Sequence, residues 1–540
     1  MKKVLIIFTL LLPMYAGSIR AQVTQEWVAN YNGSGTGSFY AVKNAIDKFG
    51  NLIVLGRTSS DYITLKYNNS GNLLWEKRYN GIANSSDMPR DMTLDDSGNV
   101  YVTGYSFEGT SNGGVNWLTI KYNTSGNMIW VKSLDWIGHK GDDARSIKVD
   151  NNYNVYVTGY GYVGPPPLTF KEDLVVAKYN KDGELQWTRS HSSHPFYSDH
   201  GHSILIDSKN FIYVSGYAVD SILTIKYDQS GNTIWERTFF RNTTDMIQPL
   251  FTKLDQQNNI IVNGYYSVET QYNFVTLKYD DNGNLLWSRI FDSPVGAAEF
   301  VGGIEVDVNS NIFITGSTFT TFYHDVMLLK YSPLGDTLWI KTYDAGYVSD
   351  EMSYSIVVDT FGNAYVTGSS YSTTTLEDFI TLKYDSFGNL LWEDRYIPNS
   401  TPPGQDLSKS ISIDKNNNVF ISGSAELRPV GYAITSIKYS QLTEISVNNN
   451  TQVESYKIMN YPNPFNPTTK IKYELPMSVH VLINIFNIIG EKIQCIVDER
   501  LVAGVYEVEF NGASFASGIY FYSFYIDGKL RISKKLILLK

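Results

Sequence analysis

"DSGNVYVTGY" occupies Asp96–Tyr105, and two close copies follow: "NNYNVYVTGY" at Asn151–Tyr160 and "SKNFIYVSGY" at Ser208–Tyr217. In each, a cluster of Asn, Asp, Ser or Gly leads into an alternating segment that closes on Gly. Asn and Gly accept positive φ at little cost, so the cluster reads as a tight turn. Val100 and Val102 alternate with Tyr101 and Thr103, the period of a strand. Gly104 is expected to end that strand, where no side chain fits or the chain must turn.

Working outward, the same Gly recurs at Gly56, Gly104, Gly159, Gly216, Gly264, Gly316, Gly368 and Gly423. A Lys-Tyr pair keeps phase with it from Lys66 to Lys438, and a Trp from Trp27 to Trp392. A period near 50 residues signals propeller blades or a solenoid. Residues 302–345 show one unit: "GGIEVDV", the turn "NSN", "IFITGS", a loop, "DVMLLKY", the turn "SPLGD" and "TLWIKTY". Four short strands, here a to d, with two tight turns and two longer loops make a blade.

The phase at the ends separates a ring from an open array. The first element is a lone d strand at Trp27. The last unit has a, b and c strands but no Trp strand after Lys438. The N-terminal strand is therefore expected to complete the last blade, which leaves no exposed edge. The predicted fold is all-β: an eight-bladed β-propeller over residues 22–445, or seven blades if one unit were defective.

Composition agrees. The 540 residues are 43% hydrophobic and only 18% charged, with 40 Tyr. The single cysteine, Cys495, allows no intrachain disulfide. The formal net charge of −10 argues against a nucleic-acid partner. Residues 1–21 carry +3 and the stretch from Lys457 carries +3, so the middle carries −16.

Residues 1–21 read as a signal peptide: Lys2 and Lys3, then an apolar run from Val4 to Leu12, then small residues, with cleavage expected after Ser18 or Ala21. That run is too short to span a bilayer, and no other segment reads as transmembrane. Residues 446–456 are a polar linker. Residues 457–540 read as a small Ig-like β-sandwich, with a first strand expected in 460–476 after its first three Pro and further strands at 479–490, 504–512, 517–529 and 530–540.

Two resemblances follow. Units such as "DARSIKVDNNYNVYVTGY" and "FITLKYDSFGNLLWEDRY" resemble the SBBP-type β-propeller repeat of secreted bacterial proteins. "YPNPFNPTT", "AGVY" at 503–506, "ASGIYFY" at 516–522 and the basic-apolar end at Lys534–Lys540 resemble the type A C-terminal sorting domain of the type IX secretion system. The second implies a Bacteroidetes-like bacterium, a partnership with type IX machinery through residues 457–540, and display on the cell surface or release after a periplasmic step.

Candidate site residues sit in the long, variable d–a and b–c loops, such as 106–116, 161–173 and 191–202, because one rim of a repeat protein is usually the binding face. An acid stands eight residues before the Asp closing strand a in six units: Asp87, Asp142, Asp199, Glu299, Glu351 and Asp406. Either each caps its own loop, or together they form an anionic mouth for a cation or basic ligand. His191, His194, His200 and His202 crowd one loop and raise zinc as an alternative. "DDNGN" at 280–284 raises calcium, although it lacks the distal Glu of an EF-hand. The expectation is no cofactor. No P-loop or H-E-x-x-H occurs. The expected function is therefore non-enzymatic binding of a surface glycan or protein through the variable rim. A secreted polysaccharide hydrolase or lyase is the alternative.

Overall fold

In the computed structural model, residues 23–441 and 456–540 are described, apart from 34–36, 110–113, 138–140, 164–170, 241–245, 269–270, 293–298, 320–322, 347–348, 399–403, 428–430, 477–478 and 502–503. The signal peptide, most of the linker and parts of the 106–116 and 161–173 loops fall outside them. The described chain is all strand, turn and loop, without helix. It separates into two compact units, 1–442 and 443–540.

The first unit holds eight four-stranded antiparallel sheets. Sheets 1 to 7, counted by their a strands, run over 40–79, 87–134, 143–191, 199–239, 246–291, 299–343 and 351–396, each in the order a-b-c-d. Sheet 8 takes a, b and c from 407–441, and its fourth strand is Val23–Tyr31. That strand pairs antiparallel with Gly431–Gln441, from Val23 opposite Gln441 to Tyr31 opposite Ile434. Each a strand touches the a strand of the next sheet, and the a strand of sheet 8 touches that of sheet 1.

The opening motif explains how a sheet is built. Asp95 Oδ1 accepts the Ser97 and Asn99 backbone N–H groups at 2.9 Å each, Oδ2 accepts Asn99 Nδ2 at 2.7 Å, and Gly98 lies at φ +86°. The Tyr101 hydroxyl also donates to Asp95 Oδ2, at 2.9 Å. One carboxylate thus closes the turn and anchors the strand. Val100, Tyr101, Val102 and Thr103 are all fully buried. Both faces of strand b are covered because Val100 and Val102 join a core with Ile53 and Leu55 of sheet 1, while Tyr101 joins one with Val155 and Val157 of sheet 3. Phe420 and Ile434 of sheet 8 share a core with Leu52 and Val54 of sheet 1 in the same manner.

Gly104 does not end its strand, which continues to Phe107. A Cβ at Gly104 would lie 2.0 Å from the carbonyl oxygen of Met88, where strand a bulges between Pro89 and Asp91. The Gly recurs because every a strand carries this bulge, and the bulge thrusts backbone against strand b.

The Trp and Lys landmarks stitch neighbouring sheets. Trp75 Nε1 and Lys66 Nζ both donate to Thr124 O in the c–d turn of the next sheet, at 3.1 and 3.2 Å. Trp235 and Lys226 do the same to Asp281 O, and Trp287 and Lys278 to Pro333 O. Trp27 and Lys438, 411 residues apart, converge likewise on Asn69 O at 3.0 and 3.3 Å. Trp392 is the exception: its Nε1 is buried without a hydrogen-bond partner. It faces sheet 8, whose c and d strands come from opposite ends of the repeat array. Lys383 there bonds the Gln441 side chain instead.

The second unit contains a sheet of Lys457–Tyr461, Thr468–Leu475 and Gly504–Asn511, and a sheet of Lys492–Leu501, Val479–Phe486, Gly518–Ile526 and Lys529–Leu538. They enclose one core that includes Ile471, Ile483, Phe510 and Phe524. Strand Lys492–Leu501 goes beyond the sequence expectation. Its side chains are mostly exposed and include four charged residues, Lys492, Asp498, Glu499 and Arg500, so its apolar signal is weak.

Candidate functional site

The predicted acids lie at the starts of the a strands, but they face inward. Asp87, Asp142, Asp199 and Glu351 have no exposed surface, and Asp406 has 1%. Asp87 accepts the Gly81 N–H at 2.5 Å and the Ser106 hydroxyl at 2.6 Å. Asp142 accepts the Trp136 and Tyr162 N–H groups at 2.7 and 2.8 Å, and Asp406 that of Glu426 at 2.7 Å. The side chain of Glu299 lies outside the described residues. Asp87, Asp142 and Asp199 thereby tie their d–a loops to their sheets, while Asp406 and Glu351 bond strand b of their own sheets. A ligand meets the loops they shape rather than a solvent-facing anionic mouth, because buried carboxylates must spend their lone pairs on local donors. Burial, aided by Asp378, raises the Asp406 carboxyl to about 7.

The four histidines diverge. His191 sits between Asp199 and Glu236, one ring nitrogen on each at 3.0 Å. Burial opposes its protonation, yet the Asp199 hydrogen bond and Glu236 outweigh it and raise its pKa. His200 bonds Glu172 at 2.6 Å and stacks on Tyr160 with centroids 4.2 Å apart. His194 Nδ1 accepts the Phe196 N–H at 3.1 Å. Burial and the neighbouring Arg145 and His200 hold His202 neutral, with a pKa lowered to about 3. Among the described residues, no three of these histidines bring ligand atoms to one point. In this geometry His191 and His200 are carboxylate-paired imidazoles. The calcium alternative at 280–284 meets a similar obstacle: Asp280 already accepts the Asn282 and Asn284 N–H groups and Asn284 Nδ2, at 2.8–2.9 Å, as a turn.

A different place draws all eight sheets together. A cavity of about 370 Å³ is lined by side chains from every a strand. The lining is cationic: Lys43, Arg90, Arg145, Lys148, Lys253 and Lys409 contribute to it. Some of that charge is matched. Lys43 pairs with Asp91, Lys253 with Glu305 at 2.7 Å, and Arg90 and Arg145 with Asp143 at 3.0 and 3.3 Å. Lys409 lies 4.0 Å from the centre of the Tyr354 ring. Among the described residues, neither Lys409 nor Lys148 has an ion-pair partner. Burial, then the field of Lys43, lowers Lys148 to about 8, with Lys253 adding to the effect and Asp91 and Glu305 opposing it.

No sequence signal singled out this lining. The cations come from sheets 1, 2, 3, 5 and 8 at three positions in or beyond the bulge, and no sheet carries more than two of them, so no one unit shows the cluster.

In the second unit the Pro-rich segment pins the last strand. Asn463 Nδ2 donates to Lys535 O and its Oδ1 accepts the Ile537 N–H, both at 2.9 Å. Phe465 is buried against Phe510 and exchanges backbone hydrogen bonds with Ile537 and Leu539. A family model for the secretion system C-terminal sorting domain matches residues 459–539, and one for the β-propeller repeat SBBP matches 77–106 and 345–373. The chain carries SBBP propeller repeats and a type IX sorting domain.

The sorting domain makes this SBBP protein a secreted one, directed to the cell surface. The chain is 25% identical over 388 residues to an uncharacterized WD repeat-containing protein of Acanthamoeba polyphaga mimivirus, covering 58% of this chain and 26% of that protein. The chain thus spans about a quarter of the curated relative's length. Among solved structures, the WD40 domain of SCAP from fission yeast aligns at TM-score 0.44 and 9% identity, over 77% of this chain and 98% of that one. The polysaccharide lyase Uly1 aligns at TM-score 0.35 and 11% identity, over 68% and 89%.

Proposed function

We propose that the eight sheets are the blades of a closed propeller and that its axial cavity captures a small anionic group, such as a uronate or sulfated unit of a surface glycan, without turning it over. Closure is supported by the contact between the a strands of sheets 8 and 1 and by the shared bond of Trp27 and Lys438 to Asn69. The observation that carries the binding reading is the unpaired Lys148 and Lys409 in a cavity drawn from all eight repeats. A cavity of this size suits one or two sugar residues. A half-buried ammonium without a counter-ion gains most from an incoming carboxylate or sulfate.

Oligogalacturonate should therefore bind to the purified chain, with neutral galactan oligomers as the control. Lys148→Met should weaken binding by about tenfold or more. Because Lys148 titrates near 8, affinity should fall as pH rises through that value and the ammonium is lost. The folded-state pKa lies below the unfolded value of 10.5, so the charged form costs stability below pH 8. Lys148→Met should accordingly raise the melting temperature at pH 7 while it removes binding. Equal affinity for neutral oligomers would sink the anion reading. Release of new reducing or unsaturated ends would replace capture by hydrolase or lyase chemistry.

Export is tested separately. Deletion of residues 457–540 should leave the propeller folded and hold it in the periplasm, as read by fractionation and surface proteolysis. Surface display of that truncation would remove the sorting role.

A further inference from the structure

Three carboxylates from sheets 6 and 7 converge on the variable rim. Asp325 is the second residue of strand His324–Tyr331, Asp344 follows strand Thr337–Tyr343, and Glu351 opens strand Glu351–Val358. One oxygen of each lies within 4.8 Å of the other two. Glu351 is fully buried. Its Oε1 accepts the Ser370 hydroxyl at 3.0 Å, while Oε2 has no hydrogen-bond partner. A buried carboxylate oxygen without a donor is costly.

The other repeats show what is missing. At the place of Asp325, Asp61 is paired with Arg78, and Asp378 with Arg395 at 2.8 Å. Both arginines come from strand d in one register: Arg78 stands opposite Ile63 and Arg395 opposite Ile380, each two residues beyond the aspartate. In sheet 6 the same register puts Thr342 opposite Met327, so strand d supplies no cation. At the place of Glu351, Asp87, Asp142 and Asp199 each accept a backbone N–H of their own loop. Glu351, one methylene longer, accepts none among the described residues. Sheet 3 also lacks the arginine, since Ser190 stands opposite Val175, but there Lys171 pairs with Asp173 at 3.0 Å. Among the described residues Asp325 has no such cation and instead meets Asp344 and the longer Glu351.

We propose that Asp325, Asp344 and Glu351 bind a calcium ion, which supplies the charge that arginine supplies in sheets 1 and 7. The donor set is all oxygen, with no nitrogen or sulfur, which suits a hard cation rather than zinc. Asp344 is exposed and leaves an open side for water ligands. The Gly346 N–H holds its Oδ1 at 2.8 Å. Consistent with crowded carboxyls, Asp325 is raised to about 6 by burial and Asp344, and Glu351 to about 7, chiefly by burial. The site is distinct from the cavity and does not depend on how that cavity is used.

Calcium chloride titrated into the purified full chain at pH 7.5 should raise the melting temperature by about 2 °C at a hundredfold excess over Kd, reversibly with EDTA. Calorimetry should give about one ion per chain at this site. Asp344→Asn, an exposed change that leaves the core intact, should abolish the response. Thr342→Arg should raise the melting temperature without metal and also abolish it, because the arginine takes the ion's place. No heat and no thermal shift at 10 mM calcium would overturn the proposal. So would a calcium response unchanged in both variants, and so would zinc displacing calcium at equal concentration.

Discussion

Deletion of residues 23–31 is expected to destabilise the first unit far more than the loss of nine terminal residues from an ordinary domain would. The strand fills the fourth position of sheet 8 and pairs along most of its length with Gly431–Gln441. Trp27 packs between Phe420 and Tyr67, at centroid distances of 6.1 and 6.4 Å, and bonds Asn69 O in sheet 1. Removing a packed Trp alone costs about 3–5 kcal/mol, against a total stability of about 5–15 kcal/mol for a typical domain. The deletion also bares the edge of strand c in sheet 8, a template for aggregation. A melting temperature lower by about 10 °C, with aggregation on heating, is expected. A synthetic 22–33 peptide added in trans should recover part of the loss by strand addition. An unchanged melting temperature would refute the proposed ring.

The second large effect comes from one methyl group. Gly368→Ala places a Cβ 1.8 Å from Met352 O and 2.8 Å from Ser353 Cα, both main-chain atoms of the bulged a strand in sheet 7. Backbone held in a ladder cannot yield as the tip of a side chain can. Destabilisation of about 3 kcal/mol or more is expected from denaturant unfolding. Gly50→Ala provides the contrast. It meets nothing within 4 Å and is strained only by its φ of +80°, so it should lose about 1 kcal/mol. Similar values for the two would show that backbone conformation, not the bulge contact, explains the repeated Gly.

Much of the fold was legible because each element answers a local rule. Asp95 and Gly98 make a turn wherever they fall in this order, and Val100 to Thr103 alternate as any strand does. The lone Trp27 strand and the Trp-less last unit named each other as partners, since the repeat phase counts strands. The roles of single polar residues were less legible. Asp87 and Glu351 occupy the same phase, yet one caps a loop and the other leaves an oxygen unsatisfied. That difference depends on the Gly81 N–H in one case and on Asp344 and Thr342 in the other. The clustered histidines suggest zinc by spacing, but Asp199 and Glu236 claim the nitrogens of His191 and Glu172 one of His200.

By itself, then, the sequence determined the all-β class, the four-strand unit, the landmark residues and the sorting domain. Each is written in contacts among residues close in the chain or in a repeated phase. Only the tertiary structure decided where charge accumulates. Lys43, Lys148, Lys253 and Lys409 share one cavity because every a strand contributes to its lining. Asp325, Asp344 and Glu351 meet because two neighbouring sheets bring the starts of strands a and c and the end of strand d to one rim. No local pattern records either meeting, since electrostatic fields act across space and not along the chain.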